Sequence, residues 1–326
     1  MDKIANDFSV ILPVRNGGKY LPLCVKSILA QTYQGFELVI LENQSTDGTS
    51  KWLQALERED SRVKVMPSKT PLSMEENWKR ILSVPKKKFM TVIGHDDLLE
   101  PNFLEEINTL VRDKPEVNLY QTHFRLIDSE GKLIRYCMPI PKYETAAEFL
   151  AARMAEIRDS FGTGYVMLSE QYDKVGGIPS FGSLLYADDA LWLSLMGSSY
   201  KVTSPRACFS YRLHSKSVSG KPNSEALFNG LKQYLGLLTK LVNEDKELAR
   251  VVKRYVPQYV SMRCQYRYHH LLKMTFLGVR VDKKTVSELE VILKEFAPET
   301  ALDKSYMSFS KHLCRKLLDW LARKCD

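Results

Sequence analysis

Two adjacent carboxylates follow an apolar stretch that is predicted to form a strand, in the motif Gly94-His95-Asp96-Asp97. Like charges in such a pair repel each other unless a cation or solvent separates them. Carboxylate oxygens are hard ligands that suit Mg²⁺ or Mn²⁺, and these ions in turn bind diphosphate oxygens. The competing interpretation is that Asp96 or Asp97 caps the helix that follows. The motif alone leaves both interpretations open.

The elements that would position this motif alternate between strand and helix along the first 112 residues. Short apolar runs predict buried strands at residues 8–13, 37–41, 62–66 and 88–93. Each is followed by apolar residues at helical spacing. This alternation is typical of a mostly parallel sheet flanked by helices, in which ligands bind at the carboxyl ends of the strands. The loops 14–18, 42–48 and 94–100 are therefore predicted to meet in one crevice.

The later part of the chain changes character near residue 220. Residues 124–137 predict a hairpin that turns at Ser129-Glu130-Gly131. A helix over 146–157, a strand over 165–168 and a helix over 188–196 are predicted to follow. Further helical patterns occur at residues 225–242, 246–274, 284–296 and 306–322. We therefore expect an α/β domain over residues 1–220 and a helical C-terminal region over residues 221–326.

The composition is typical of a soluble globular protein. Apolar residues make up 44% and charged residues 26% of the 326 residues. The longest apolar runs are far shorter than the roughly 20 residues that cross a bilayer. Residues 1–7 lack the basic and then apolar pattern of a signal peptide, so a cytoplasmic protein is expected. The six cysteines form no CxxC pair, which argues against a zinc site or a disulfide framework.

The net charge of +8 fits nucleic acid, anionic lipids or phosphorylated substrates, or simply a solvated surface. Residues 306–322 place Lys311, Arg315 and Lys316 opposite an apolar side that includes Trp320. A basic amphipathic helix of this kind lies on anionic membranes. Packing on the protein or formation of a homo-oligomer are the alternatives, and the sequence leaves all three open. Peripheral association with the cytoplasmic face of the inner membrane is the expectation.

Several short motifs occur in a fixed order between residues 8 and 219. Residues 8–16 read FSVILPVRN, residues 27–32 read SILAQT, and residues 36–49 read FELVILENQSTDGT. The series continues with Asn77-Trp78, the loop 94–101, residues 186–192 (YADDALW) and residues 211–219 (YRLHSKSVS). Together these motifs resemble the family-two inverting glycosyltransferases of the GT-A fold, of the type that builds bacterial surface polysaccharides. The resemblance implies an α/β fold with a mostly parallel open sheet.

The resemblance also implies a role for each matching residue. Nucleotide-sugar contacts would be made by Pro13, Arg15, Glu42, Asn77, Arg80, His95, Asp96 and Arg212. Asp96 would be the main ligand of Mn²⁺ or Mg²⁺, and His214 would close the metal site from the other side. Asp188 would be the catalytic base, with Asp189 as the fallback. The implied reaction moves a sugar from a nucleotide-diphosphate donor, UDP-sugar favoured, to a hydroxyl of a glycan or lipid-linked glycan.

This chemistry requires such residue types. A divalent ion offsets the charge that grows on a departing diphosphate. Inversion by single displacement needs one carboxylate that takes the proton of the attacking hydroxyl. Simpler interpretations remain for the same residues: His214 as a surface histidine, and Asp188 and Asp189 as first-turn acids favoured by the helix dipole.

The sequence departs from the family pattern at four places. Arg15 replaces a tyrosine, Glu42-Asn43 replaces a pair of aspartates, and Ala187 replaces a glutamate. Gly94 replaces the first aspartate of an acidic triplet. The resemblance therefore implies a metal held by Asp96, His214 and phosphate alone.

Two other classes of protein compete with this interpretation. A sugar nucleotidyltransferase would carry a glycine-rich basic loop after the first strand, and residues 14–19 resemble one only faintly. A non-catalytic module that binds polysaccharide or nucleic acid would explain the positive charge but leave the Asp and His motifs without a role, and no known nucleic-acid motif is present. A dinucleotide-dependent dehydrogenase is excluded because no GxGxxG follows the first strand. No nucleic-acid partner is expected.

Overall fold

The structure is a computed structural model that describes residues 7–214, 224–276 and 283–299. The chain divides into two compact units, Met1–Leu248 and Ala249–Asp326. The crevice predicted from the sequence lies in the first unit. The division into domains at residue 220 stays a prediction.

The first half of the sheet is parallel and contains the four predicted strands. They are β1 (Phe8–Val14), β2 (Phe36–Glu42), β3 (Val63–Val65) and β4 (Phe89–Val92), in the spatial order β3-β2-β1-β4. Every residue of β1 is buried, as its unbroken apolar run predicted. The register pairs Val14 with Glu42, so the loops after β1 and β2 leave the sheet side by side.

Helices follow these strands as the periodicity predicted. They are α1 (Leu21–Leu29), α2 (Thr49–Glu59), α3 (Met74–Lys79) and α4 (Phe103–Asp113), and the short 3-10 helix Arg80–Ser83 extends α3. The helix α1 buries Leu21, Cys24, Val25 and Ile28, which are four of its five predicted apolar positions. The alternating α/β fold is therefore confirmed.

The second half of the sheet mixes directions. It contains β5 (Leu98–Leu99), β6 (Leu119–Ile127), β7 (Leu133–Tyr136), β8 (Tyr143–Thr145), β9 (Tyr165–Leu168) and β10 (Tyr200–Arg212). The strands β6 and β7 form the predicted antiparallel hairpin, but β6 begins at Leu119, five residues before the predicted start at residue 124. The strand β10 pairs parallel with β6 and antiparallel with β5.

The long strand β10 was not predicted. Its register shifts between Ser204 and Ala207, where Pro205 interrupts the apolar pattern. A bulge of this kind accommodates a proline within a sheet, and it also breaks the period of two that sequence patterns rely on. The interrupted pattern explains why no strand was predicted here.

The remaining helices are α5 (Ala146–Met154), α6 (Ser169–Lys174), α7 (Ala187–Met196), α8 (Ser224–Leu241), α9 (Lys246–Phe276) and α10 (Lys283–Phe296), with a 3-10 turn at Gly182–Leu184. The last three match the helical patterns from the sequence within two residues at each end. The predicted amphipathic helix at 306–322 lies outside the described residues. Among the described residues, no helix combines the length and apolar character needed to cross a bilayer.

Candidate active site

The metal-binding prediction rests on Asp96 and His214, and the structure brings these two side chains together. Asp96 Oδ2 lies 2.9 Å from His214 Nε2. The sheet explains the contact, because β5 and β10 are antiparallel and pair Leu98 with Ser210. Continuing that register places Arg212 opposite Asp96, and His214 follows two residues later. The pairing of a two-residue strand thus joins motifs from distant parts of the chain.

The geometry of this pair fits a divalent ion. Neighbouring ligands on an octahedral ion with bonds of about 2.1 Å lie about 3 Å apart, close to the observed separation of the two donor atoms. Within the described part of the chain, no three His, Cys, Asp or Glu side chains form a cluster that could hold a metal. Asp96 and His214 would therefore supply two positions, and diphosphate oxygens and water would complete the shell, as is usual for Mg²⁺.

Gly94 stands where the family pattern has a further aspartate, and the local packing favours glycine. A Cβ at this position would lie 2.8 Å from Asp96 Oδ1 and 3.1 Å from Asp97 Oδ2. The two carboxylates occupy the space that another side chain would enter. The triplet Gly94-His95-Asp96 therefore keeps one carboxylate, and the Asp96 and Asp97 side chains fill the space beside Gly94.

Asp97 is buried and connects the loop after β4 to two other segments of the site. Its Oδ2 accepts a hydrogen bond from Thr163 Oγ1 at 2.9 Å, and its Oδ1 accepts one from Arg212 N at 3.0 Å. Burial and then the neighbouring Asp96 raise the pKa of Asp97 well above its usual range. The interpretation of Asp96 or Asp97 as a helix cap is wrong, because α4 begins at Phe103 with Asn102 as its N-cap.

Arg212 is buried and holds the loops around the metal pair. Its Nε donates to the Asp96 carbonyl at 2.7 Å, and its Nη1 donates to the Asp128 carbonyl at 3.0 Å. The guanidinium also lies 4.8 Å from the centre of the Tyr20 ring. These contacts point the side chain towards protein carbonyls, so its predicted contact with a diphosphate stays a prediction.

Tyr20 contributes to the site but was not identified from the sequence. Its ring lies 5.1 Å from the His214 ring with an interplanar angle of 33°. Tyr20 therefore packs against both Arg212 and His214 and fixes the orientation of the imidazole. No motif marked it, because its only local signal is its place directly before α1.

Glu42 ends β2 and locks the loop that follows. Its carboxylate accepts hydrogen bonds from Ser45 N at 2.6 Å and Gln44 N at 3.2 Å. Burial alone would raise the pKa of Glu42, but hydrogen bonds from Ser45, Ser50 and Gln44 outweigh burial and lower it. Glu42 is therefore an ionised, pre-oriented acceptor at the carboxyl edge of the sheet.

The predicted nucleotide contacts Asn77 and Arg80 lie next to Glu42. Asn77 Nδ2 donates to the Leu41 carbonyl at 3.2 Å, and Arg80 Nη1 donates to Asn77 Oδ1 at 2.9 Å and to the Glu42 carbonyl at 3.1 Å. The three residues thus form one group at the end of β2. Their contacts with a nucleotide stay predictions.

The other predicted donor residues occupy the same edge of the sheet. Pro13 is buried within β1, whereas Arg15 is exposed on the loop that follows. His95 is half-buried next to the metal pair, and burial lowers its pKa against the opposing effect of Asp96. Asn16, which the sequence did not single out, joins the first two loops by accepting from Thr46 N at 2.8 Å.

The two base candidates have different surroundings at the start of α7. Asp189 is buried, and its Oδ2 accepts from Arg153 Nε at 2.8 Å. Asp188 is half-buried, and its Oδ1 accepts from the Asp189 backbone N–H at 2.9 Å. Burial and then the Asp189 charge raise the pKa of Asp188 to about 7, against the opposing effect of Arg153. Asp188 is therefore the more accessible of the two carboxylates, and burial beside a like charge raises its pKa towards neutral pH.

A glycine-rich loop over residues 161–164 links the metal side of the site to the base side. Thr163 binds the Asp97 carboxylate, as described above. A Cβ on Gly162 would lie 3.8 Å from Asp188 Cβ and 3.6 Å from Trp78 Cη2. Gly164 adopts φ +80° and lies so close to the Phe209 ring that a side chain there would clash. The loop therefore contacts Asp188 and Trp78 on one side and Asp97 on the other.

Comparison with known proteins agrees with this geometry. Residues 9–166 match the model of the glycosyl transferase family 2. The glycosyltransferase GlyG of Streptococcus pneumoniae is 30% identical over 128 residues, which cover 39% of this chain and 42% of GlyG. A Bacillus subtilis glycosyltransferase named for teichuronic acid biosynthesis, TuaG, is 26% identical over 65% of this chain and 81% of its own length. The match to GlyG therefore spans less than half of the length of GlyG.

A solved structure shares the fold. S. aureus TarS 1-349, in complex with UDP-GlcNAc, superposes with a TM-score of 0.65 at 14% identity. The alignment covers 89% of this chain and 80% of the TarS chain. The α/β core with this crevice agrees with the family match. The family match covers residues 9–166, just under half of the chain, and it places these residues with the glycosyl transferase family 2.

Proposed function

We propose that this protein is an inverting, metal-dependent glycosyltransferase that transfers a sugar from a nucleotide-diphosphate donor to a hydroxyl of a glycan or lipid-linked glycan. One observation supports it most strongly. Thr163 of the loop 161–164 binds Asp97, the chain neighbour of Asp96 in the Asp96–His214 pair, and Gly162 of the same loop lies beside the half-buried Asp188. A transferase of this kind needs a group for the leaving diphosphate and a separate base for the acceptor.

The chain's own residues account for each step of a single displacement. Glu42, Asn77 and Arg80 form the rigid edge against which the nucleotide would lie. An ion held by Asp96 and His214 would offset the negative charge that grows on the leaving diphosphate. The acceptor hydroxyl oxygen bonds to the anomeric carbon while the bond from that carbon to the diphosphate breaks. Asp188 takes the proton that the hydroxyl loses. One displacement inverts the anomeric configuration.

The proposed donor is a UDP-sugar. The complex of TarS with UDP-GlcNAc supports this choice at the level of the fold. The proposed product is a bacterial surface polysaccharide, and the name of TuaG supports this class.

We also propose that residues 221–326 form a helical region that serves membrane association, acceptor binding or oligomerisation. The basic pattern at residues 306–322 supports binding to an anionic membrane surface. Binding of the full chain to liposomes that contain anionic lipid at low salt tests this part. Equal amounts of protein bound to neutral and to anionic liposomes would contradict this part of the proposal.

A donor panel tests the central proposal. The protein is incubated with UDP-, dTDP- and GDP-sugars and a mixture of glycan and lipid-linked acceptors, with Mn²⁺ or EDTA, and free nucleoside diphosphate is measured. We expect release from one donor class, abolition by EDTA, and a product whose anomeric proton coupling shows inversion. Release from no donor contradicts the transferase, and release with retention contradicts the single displacement. A nucleotidyltransferase would instead consume a sugar phosphate and a nucleoside triphosphate.

A further inference from the structure

A cation on α5 reaches the carboxylates at the start of α7. Arg153 Nε lies 2.8 Å from Asp189 Oδ2, and Arg153 Nη1 donates to the Arg158 carbonyl at 2.6 Å. The Asp189 side chain is 4% exposed and that of Arg153 is 27% exposed. Two separate contacts therefore fix the guanidinium beside a buried carboxylate.

The groups around Asp188 are few. On α7 itself the charged neighbour is Asp189, and from α5 it is Arg153. From α8, Tyr234 faces Arg153 and stacks on Tyr186 at 5.5 Å. From α3, Glu75 Oε1 accepts from the Ser183 backbone N–H at 2.6 Å, ahead of α7. The loop 161–164 brings no ionisable side chain.

Two adjacent carboxylates in a partly desolvated site cannot both stay ionised at low cost. A cation that pairs with one carboxylate removes most of the repulsion between the two. The other carboxylate then remains available to accept a proton. Arg153 is directed at Asp189, and the helix α7 buries Asp189 while leaving Asp188 half-exposed. The pairing thus separates the roles of two residues that are equivalent in sequence.

We propose that Arg153 is a positioning residue that binds Asp189 and thereby leaves Asp188 as the carboxylate that receives the acceptor proton. This inference rests on the proposed function, in which Asp188 is the base. Arg153 itself would touch neither substrate nor metal. Its role is to offset the negative charge of Asp189 beside Asp188 and to hold the first turn of α7 against α5.

The proposal predicts shifts of opposite sign in two variants. In Arg153→Gln, Asp188 faces Asp189 without the cation, so its carboxyl keeps its proton to higher pH. In Asp189→Asn, the like charge is gone and Arg153 remains, so Asp188 loses its proton at lower pH. The double variant Arg153→Gln/Asp189→Asn removes both effects, and its midpoint should lie between those of the single variants.

The test is a ¹³C titration of the full chain labelled at aspartate carboxyls, between pH 4 and 9. Asp188→Asn identifies the Asp188 resonance, and no donor is needed. We expect the midpoint of Asp188 to rise by about 1 pH unit or more in Arg153→Gln and to fall by a similar amount in Asp189→Asn. Arg153→Lys keeps the charge and should leave the midpoint near that of the wild type.

The outcomes separate the two proposals. If the Asp188 midpoint stays unchanged in both single variants while only their thermal midpoints fall, Arg153 is structural and the inference is wrong. If Arg153→Gln does not fold, the double variant Arg153→Gln/Asp189→Asn is compared with Asp189→Asn. A higher Asp188 midpoint in the double variant supports the role of Arg153, and an equal midpoint contradicts it. If the midpoints move as expected but no donor is turned over by the wild type, the pairing stands and the transferase proposal falls.

Discussion

Asp96 Oδ2 lies 2.9 Å from His214 Nε2, although 118 positions separate the two residues in the chain. The contact depends on the pairing of β5 with β10, so the site forms only when both halves of the sheet are in place. A proton or a divalent ion can lie between the two donor atoms. The residues that could hold a metal are thus already gathered before any donor binds.

Replacement of either member of this pair should remove the metal. We expect Asp96→Ala and His214→Ala to weaken Mn²⁺ binding in the presence of UDP by about 100-fold or more, since loss of an outer-shell partner alone typically costs 10- to 100-fold. Isothermal titration calorimetry measures this loss. His270→Ala, which changes an exposed histidine on α9, is the control. Wild-type Mn²⁺ affinity in both site variants would rule out the assignment.

The pH dependence of turnover should follow Asp188. Its pKa is raised to about 7, and a base works only in its deprotonated form. Turnover should therefore rise with pH up to about 7 and level off above it, with saturating donor, acceptor and Mn²⁺. A rate that is flat between pH 5.5 and 8 would show that no group with this pKa controls the proton transfer.

Arg212 lies near the proposed metal site, but its contacts join two backbone segments, so its replacement should lower the free energy of unfolding. Arg212→Lys loses the geometry that binds the Asp96 and Asp128 carbonyls together. We expect a loss of about 1–3 kcal/mol in the free energy of unfolding, which chemical denaturation measures. Arg206→Lys is a matched control, because Arg206 is exposed and pairs with Glu106. Equal effects in the two variants would contradict the bracing role.

Gly162 should govern access to the space beside Asp188. A Cβ there meets Trp78 and Asp188 at ordinary contact distances, so Gly162→Ala should fold with nearly unchanged thermal stability. A leucine would fill the space, and we expect Gly162→Leu to lower kcat/KM for the acceptor by about 100-fold. Gly236→Leu is the control, because Gly236 on α8 faces open space. Unchanged acceptor kinetics in Gly162→Leu would place the acceptor elsewhere.

The sequence predicted those parts of the fold whose pattern is local. The strand β1 has an unbroken apolar run, and α1 has one apolar face, so both could be recognised within a short window. The proximity of the loops 14–18 and 42–48, joined by Asn16 and Thr46, followed from the rule that the carboxyl ends of parallel strands share one edge. Local pattern and sheet topology were sufficient for that half of the site.

The missed features depend on contacts between distant residues. Asp97 looked like a cap because its partner Thr163 lies 66 positions away, and the carbonyl that Arg212 binds lies 116 positions away. Asp188 and Asp189 could not be separated, because Arg153 reaches α7 from another helix. Charge type is visible in a sequence, but the pairing of charges is decided by packing.

The most direct test of the central claim is a comparison of Asp188→Asn and Asp189→Asn with the wild type, measuring donor affinity and turnover on the same preparations. The account predicts that Asp188→Asn binds the donor as the wild type does and transfers about 10²- to 10⁴-fold more slowly. It predicts that Asp189→Asn keeps a substantial part of the turnover. Wild-type turnover by Asp188→Asn would contradict the account.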